Sequence, residues 1–274
     1  MSQKLKAVIN PNYHSLEEFS GVFQSALPFP HLILDDFLLP EFFALFSGEN
    51  KRQQGEIGGK NFDTSVEEKK WISLNSDLPG HISKLVVTLN DPEWINSLRR
   101  LTGMNSLSGT KFGNTNLANY HEMQPGGFLA PHVDHGSEPI TGRPHVLNII
   151  TYLSDEWRDD YGGSTLFYDQ KGKEIVSKVA YKPNRAVIFL HTPYSFHCVE
   201  RIKPGLPTIR KSLYVDYYSD SLEPYKNINL PFPSKWFDHP TTFNLNSVLD
   251  YFKPSNINYF KAKVNYLLNK MKAG

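Results

Sequence analysis

The chain has 274 residues, 39% of them hydrophobic, with 18 Phe, 14 Tyr and 4 Trp, a composition that excludes intrinsic disorder and suits one large folded unit. A formal net charge of +1 excludes the strong basic field that draws a protein to nucleic acid or an anionic membrane, and no apolar stretch reaches bilayer-spanning length. Cys198 is the only cysteine, so no intrachain disulfide can form, and Met1-Ser2-Gln3-Lys4-Leu5-Lys6 lacks the apolar run of a secretion signal; both features point to a reduced, cytoplasmic setting.

Ser15 followed by Glu18 reads as a capping box, ahead of Leu16, Phe19, Val22, Phe23 and Ala26 at helical spacing. Pro28-Phe29-Pro30 ends that helix, His31-Leu32-Ile33-Leu34 reads as a short strand, and Pro40 opens a second helix through Phe46. Residues 49–69 are charged and carry Gly55, Gly58 and Gly59 without periodicity, the pattern of a long loop able to cover a site. Two helices follow, over 80–89 and 92–101.

From about Asn116 to Tyr218 the pattern changes to short apolar or alternating runs, at 117–121, 146–153, 164–168, 175–181, 186–190, 196–202 and 211–218. Pro125-Gly126-Gly127, Gly162-Gly163, Pro183-Asn184 and Pro204-Gly205 separate them as turns. Strands at this spacing predict a mainly β fold with flanking helices, a double-stranded β-helix of the jelly-roll, cupin-like kind. Beyond Tyr218 the chain is Pro- and Asn-rich, until Pro254-Ser255 opens a last helix with Ile257, Phe260, Val264, Leu267, Leu268 and Met271 on one face. Lys261, Lys263, Lys270 and Lys272 lie mainly off that face, so the helix is expected to pack on the domain with solvated lysines. The expected organisation is one structural domain: a helical and loop segment over 1–115 packing on the core, a catalytic core over 116–218, and an extension with a terminal helix over 219–274.

Three features inside the core carry chemistry. Residues i and i+2 of a strand share a face, so His132 and Asp134 can aim one imidazole and one carboxylate inward while Val133 points away. His197 opens a later strand and offers a second imidazole. His191, at the end of the preceding strand, is its rival. Two imidazoles and one carboxylate with open positions form the ligand set of non-haem Fe(II) oxygenases. Arg210 and Ser212 share a face of the last strand, and a guanidinium fork with a nearby hydroxyl suits a carboxylate; Lys211 alternates outward. His121, His135 and His145 are expected as surface or hydrogen-bonded histidines, and Cys198 as a small buried hydrophobe.

The segments Leu117-Ala118-Asn119-Tyr120, Gly126-Gly127-Phe128-Leu129, Pro131-His132-Val133-Asp134 and Leu147-Asn148-Ile149-Ile150-Thr151-Tyr152-Leu153 precede Trp157, Tyr161-Gly162-Gly163, Pro183-Asn184-Arg185, His197 and Arg210-Lys211-Ser212. In this order they resemble the 2-oxoglutarate- and Fe(II)-dependent dioxygenases, in particular the prolyl 4-hydroxylase-like branch, over residues 117–218. Pro28-Phe29-Pro30-His31 leading into Asp36-Phe37-Leu38 resembles the start of many bacterial members.

The resemblance implies that His132, Asp134 and His197 are the catalytic iron ligands. It implies that Arg210 holds the distal carboxylate of 2-oxoglutarate, with Tyr152 as a hydroxyl donor, Ser212 assisting, and Asn148 and Tyr120 as further cosubstrate candidates. The cofactors it implies are Fe(II), 2-oxoglutarate and O2, with ascorbate as a candidate reductant. The reaction it implies is hydroxylation of an unactivated C–H bond with release of succinate and CO2. Halogenating relatives carry a small residue at the position of Asp134, so a carboxylate there favours hydroxylation. A peptidyl, prolyl-like substrate and a small molecule both stay open, as does the oligomeric state; nucleic acid and membrane partners are not expected.

The alternative is a non-catalytic jelly-roll module that binds metal or sugar, in which Arg210 would have no reason to face the metal. Hydrolase chemistry lacks its signatures: there is no Gly-x-Ser-x-Gly elbow, and His121-Glu122-Met123-Gln124-Pro125 lacks a second zinc-binding His.

Overall fold

A computed structural model describes residues 2–51, 59–73, 78–109, 118–138, 142–221 and 223–225. In chain order its helices are α1 (Gln3–Lys6), α2 (Ser20–Ser25), α3 (Pro40–Phe43), α4 (Gly80–Leu89) and α5 (Pro92–Thr102). Its strands are β1 (His31–Leu34), β2 (Gly59–Phe62), β3 (Glu67–Ser73), β4 (Ala118–His132), β5 (His145–Tyr152), β6 (Thr165–Tyr168), β7 (Ile175–Val179), β8 (Ala186–Leu190), β9 (His197–Val199) and β10 (Arg210–Tyr218). The strands pair antiparallel in the order β1-β8-β5-β10-β4-β9-β6-β7, with β3 on β4 and β2 on β3. The sheet curls into a nearly closed barrel, the double-stranded β-helix expected from the strand spacing.

Alternation along the strands sorts the core into two sides. Leu147 and Ile149 of β5, Ile188 and Leu190 of β8, and Leu213, Val215 and Tyr217 of β10 pack outward under the helices. Ile150 and Tyr152, Val187 and Phe189, and Phe167 and Val199 fill the inside of the barrel. Every residue of β5 is buried, which is why its sequence is a nearly continuous apolar run. Helix α5 closes the outer layer for local reasons: Asp91 caps its start by accepting from the Glu93 amide at 3.0 Å, Pro92 sits in its first turn, and Gly103 ends it at φ +76°. Trp94 on its inner face donates to the Tyr217 hydroxyl at 2.9 Å, which in turn donates to Leu89 O at 2.8 Å. That chain ties both long helices to β10.

Three expectations are corrected. Ser15 caps no helix: a 3-10 turn over Glu17–Phe19 precedes α2, and the Leu16 amide is held by Ser97 Oγ of α5 at 2.8 Å, a tertiary partner in place of a local cap. Residues 59–73 form the β2–β3 hairpin and not a loop. Its charged residues break their alternation at Lys69, which has φ +52°, and the register shifts between Glu68 and Lys70. Pro125-Gly126-Gly127 does not end a strand but bulges within β4: Lys70 pairs with Met123 and Glu68 with Phe128, so β4 carries the extra length, with Gly126 at φ +87°.

The terminal helix expected after Pro254 lies outside the described residues, as does most of 219–274. No helix among the described residues is long and apolar enough to cross a membrane.

Candidate metal centre

Strand β4 changes faces just before it ends. Leu129 pairs with Val199 and His132 with His197, so β4 uses three steps where β9 uses two. The extra residue is a bulge, and it reverses the alternation: odd-numbered Met123 and Leu129 face the barrel interior, and beyond the bulge so does even-numbered His132. His132 and His197 thereby become direct cross-strand partners, with ring centroids 4.3 Å apart. In each ring Nδ1 donates to the carbonyl two residues earlier, His132 to Ala130 O at 2.9 Å and His197 to Ser195 O at 3.0 Å. Those bonds select the tautomer that turns the Nε2 lone pair inward, the form a metal needs.

Asp134 completes the group from outside the strand. β4 stops at His132, so the shared-face expectation for His132 and Asp134 does not hold; the carboxylate is placed by the following loop and by Asn148. Asn148 Nδ2 donates to Asp134 Oδ2 at 2.9 Å. His132 Nε2 lies 3.3 Å from Asp134 Oδ1, and His197 Nε2 lies 3.5 Å from Oδ2. One ligand atom from each of the three residues falls within 4.8 Å of the others, close enough to share one ion.

Electrostatics favour the ligand-ready forms. Burial, reinforced by His132, pushes the His197 imidazole down to about 4, so it is neutral at pH 7. Burial alone would raise the Asp134 carboxyl, but the His197 and His132 imidazoles beside it outweigh that and hold it well below the usual carboxylate range. Metal ligands must be deprotonated, and His197 and Asp134 already are at pH 7.

The same burial sets a pH dependence for the metal-free protein. His197 in the unfolded chain takes up a proton below about pH 6.5, whereas the fold resists it until about 4. Stability is therefore intact above pH 6.5 and falls as pH drops through that window. His121 and His191, also lowered by burial, act with the same sign. Urea unfolding between pH 6.5 and 4 should show His197→Asn with a shallower slope than wild type, by up to one proton, or ~1.4 kcal/mol per pH unit; an unchanged slope contradicts this.

A second polar feature lies along the same inner face. Arg210 is 1% exposed; its Nε donates to Gly163 O at 2.8 Å and its Nη1 to Ser212 Oγ at 3.0 Å. Its Nη2 is buried with no hydrogen-bond partner, and no ion pair to Arg210 forms among the described residues. A buried guanidinium in that condition is costly unless a ligand supplies the acceptor. The Tyr152 and Tyr181 rings, stacked 4.4 Å apart, flank it at 5.3 and 4.9 Å from the guanidinium carbon. Burial raises the Tyr152 phenol to about 12, which keeps it protonated, and its hydroxyl exchanges a hydrogen bond with Thr165 Oγ1 at 2.7 Å. Gly163 is required here: at φ +75°, an added Cβ would stand 3.2 Å from Arg210 Cδ and 3.0 Å from the Trp157 ring.

These observations are those expected of a 2-oxo acid and metal pocket: three convergent donors at one point and an unmet cation at another. Of the other expected residues, Ser212 and Tyr152 lie beside Arg210, and Asn148 lies beside Asp134. Tyr120 is elsewhere. It has the even parity of the outer face of β4, packs under the helices and donates to Glu122 Oε1 at 3.1 Å, so it cannot reach the pocket.

His191 uses Nε2 against His135 O at 3.1 Å, packs its ring 4.2 Å from that of His145, and belongs to neither potential ligand group. Sequence reasoning missed Thr165, Tyr181 and Lys70. Lys70 is 4% exposed, bonds Glu67 Oε1 at 2.8 Å and shares a cross-strand row with Met123 and Arg210. Its charge helps hold His121 and His197 neutral. Only the strained Lys69 turns it inward, and no sequence pattern signals that.

The barrel brings two imidazoles and one carboxylate together at one point, the ligand set associated with non-haem iron oxygenases. Residues 115–215 match the profile of the 2OG-Fe(II) oxygenase superfamily, a stretch that contains the three donors and the guanidinium. The structure is similar to the prolyl hydroxylase of Trichoplax adhaerens, solved with a hypoxia inducible factor peptide, at TM-score 0.53 and 16% identity over 74% of this chain and 90% of that one. It is also similar to SnoN, a non-haem alpha-ketoglutarate-dependent epimerase of nogalamycin biosynthesis, at TM-score 0.54 and 13% identity over 74% and 80%. At these identities the likeness is one of fold. No curated protein matches the sequence. The superfamily match is to residues 115–215, and that superfamily works with Fe(II), 2-oxoglutarate and O2, a set that the two imidazoles and one carboxylate found here suit.

Proposed function

We propose that His132, Asp134 and His197 are the iron ligands, and that Arg210, helped by Ser212 and Tyr152, binds the distal carboxylate of 2-oxoglutarate. The enzyme hydroxylates a C–H bond of a peptidyl, prolyl-like or small-molecule substrate and releases succinate and CO2. One observation carries this: a three-donor cradle and a buried guanidinium with an unmet N–H occur on the same inner face of one barrel.

Bound iron supplies the oxidising power, and the chain's own residues bind, orient and shield. His132 and His197 present Nε2 because their Nδ1 protons are committed to backbone carbonyls. Arg210 is held rigid by Gly163 O and Ser212 Oγ, leaving Nη2 for the incoming carboxylate. Phe167 and Phe189 line the wall behind His197, the Phe189 ring lying 5.0 Å from the imidazole, and they keep water out.

A peptidyl substrate has support from the likeness to a hydroxylase solved with a peptide, but the same fold carries the epimerase SnoN. The distinction is therefore experimental. Purified protein with Fe(II), ascorbate and 2-oxoglutarate is screened against prolyl peptides and against metabolite pools for succinate and for a product one oxygen heavier. Succinate formed one-for-one with such a product is the expected result. Pools that yield neither, with iron and 2-oxoglutarate both bound, contradict the hydroxylase assignment. The cytoplasmic setting stays part of this proposal, supported by the single buried cysteine.

A further inference from the structure

Behind Asp134 a second polar cluster gathers the buried Asn148, His145 and Asp216 with the partly exposed His135, and the proposed chemistry does not use it. Asn148 links its side chains to the candidate centre. Asn148 Nδ2 donates to Asp134 Oδ2, and Asn148 Oδ1 accepts from His145 Nε2. The amide cannot be reversed, because Oδ1 would then face a carboxylate oxygen with no proton between them. His145 Nε2 is therefore the donor. Its other nitrogen, Nδ1, lies 2.8 Å from the His135 carbonyl oxygen, which anchors the ring on its far side.

Asp216 packs against this buried ring from the next strand: it stands directly opposite Asn148 in the β5–β10 register, with Oδ1 3.6 Å from His145 Nε2.

We propose that Asn148 and His145 are positioning residues that hold Asp134 as a one-oxygen metal ligand, with Oδ2 tied to the Asn148 amide and Oδ1 left to the metal. This rests on His132, Asp134 and His197 being the ligands. An untethered carboxylate would have to be fixed in place as the ion binds; a partner behind the ligand fixes it beforehand, which raises the affinity of the site.

The rival is a second metal site, since His135, His145 and Asp216 also place ligand atoms within 4.8 Å of one another. Two features oppose it. The His135 and His145 rings stack at 4.8 Å with planes 27° apart, so their in-plane lone pairs run side by side and do not converge, and His145 Nε2 already serves Asn148.

Co(II) titration of the full chain, followed by visible absorption, tests this without turnover. Wild type should take up one equivalent, and His132→Ala should lose it. Asn148→Leu should bind Co(II) about 10- to 100-fold more weakly. His145→Phe should shift in the same direction, while His145→Gln, whose amide can still donate to Asn148 Oδ1, should recover most of the affinity. Packing roles alone would lower thermal stability in these variants and leave affinity unchanged.

The proposal is overturned if folded Asn148→Leu binds as tightly as wild type. If that variant does not fold, equal affinity of His145→Phe and His145→Gln overturns it. Two equivalents in wild type, with the second lost in Asp216→Asn, also overturn it in favour of a metal at His145. Failure of the ligand assignment looks different: wild type binds no Co(II), or His132→Ala binds as well as wild type, and both proposals fall.

Discussion

His132→Ala protein, mixed with Fe(II) and 2-oxoglutarate in the absence of air, should show no visible charge-transfer band and should form no succinate once air is admitted. Wild type should do both. The expected size of the effect follows from the geometry. The three donors converge from a strand end, a loop and a neighbouring strand, and removing one leaves an imidazole and a carboxylate held only 3.5 Å apart, with nothing on the β4 side of the ion. Two ligands hold a divalent ion weakly, so turnover should fall to the background of metal-free protein. His132 lies at the partly exposed mouth of the site, its side chain 17% accessible, so the fold should tolerate the change. A full-strength band in the variant would move the metal elsewhere.

Arg210→Ala should give the second largest effect, and of a different kind. The ion still binds, but 2-oxoglutarate binds more weakly. Removing one partner of a buried, hydrogen-bonded charge pair costs ~2–5 kcal/mol, or roughly thirty-fold to several thousand-fold in affinity. The charge-transfer band should fade at modest 2-oxoglutarate and return at high concentration. Arg210→Lys should recover only part, because an ammonium keeps the charge without the planar fork that already spans Gly163 O and Ser212 Oγ. Unchanged 2-oxoglutarate affinity in a folded Arg210→Ala variant would remove the guanidinium from cosubstrate binding.

The parts legible in the sequence are those where local pattern and tertiary structure agree. Helix α5 was readable because its cap, first-turn proline and apolar face all act within a dozen residues, and β5, β8 and β10 because buried strands are rich in apolar and aromatic residues, as the continuous run of β8 shows most plainly. The β2–β3 hairpin was not readable: Glu67-Glu68-Lys69-Lys70 has no apolar alternation, and its partner is set by β4, far along the chain.

Among the candidate site residues, His132, Asp134, His197 and Arg210 stand out in the sequence because their chemistry is rare in combination, and the fold brings the first three together. Tyr120 could not be placed, since alternation carries no information across a bulge, and the face it points to depends on counting from the correct strand. The cluster of His135, His145 and Asp216 was equally hidden. Its members come from a loop and two strands and meet only when β5 and β10 lie in register.

The bulge between Leu129 and His132 makes this centre sensitive to chain length more than to side-chain identity. Ala130 and Pro131 bind no metal, yet together they set how many steps separate the last regular pair from the first imidazole. Exchange of either for another residue leaves that count intact. Loss of one removes the reversal and turns His132 toward the outer layer, opposite a β9 that has not moved. A single-codon deletion there is accordingly expected to cost the proposed metal site more than an exchange of either side chain would.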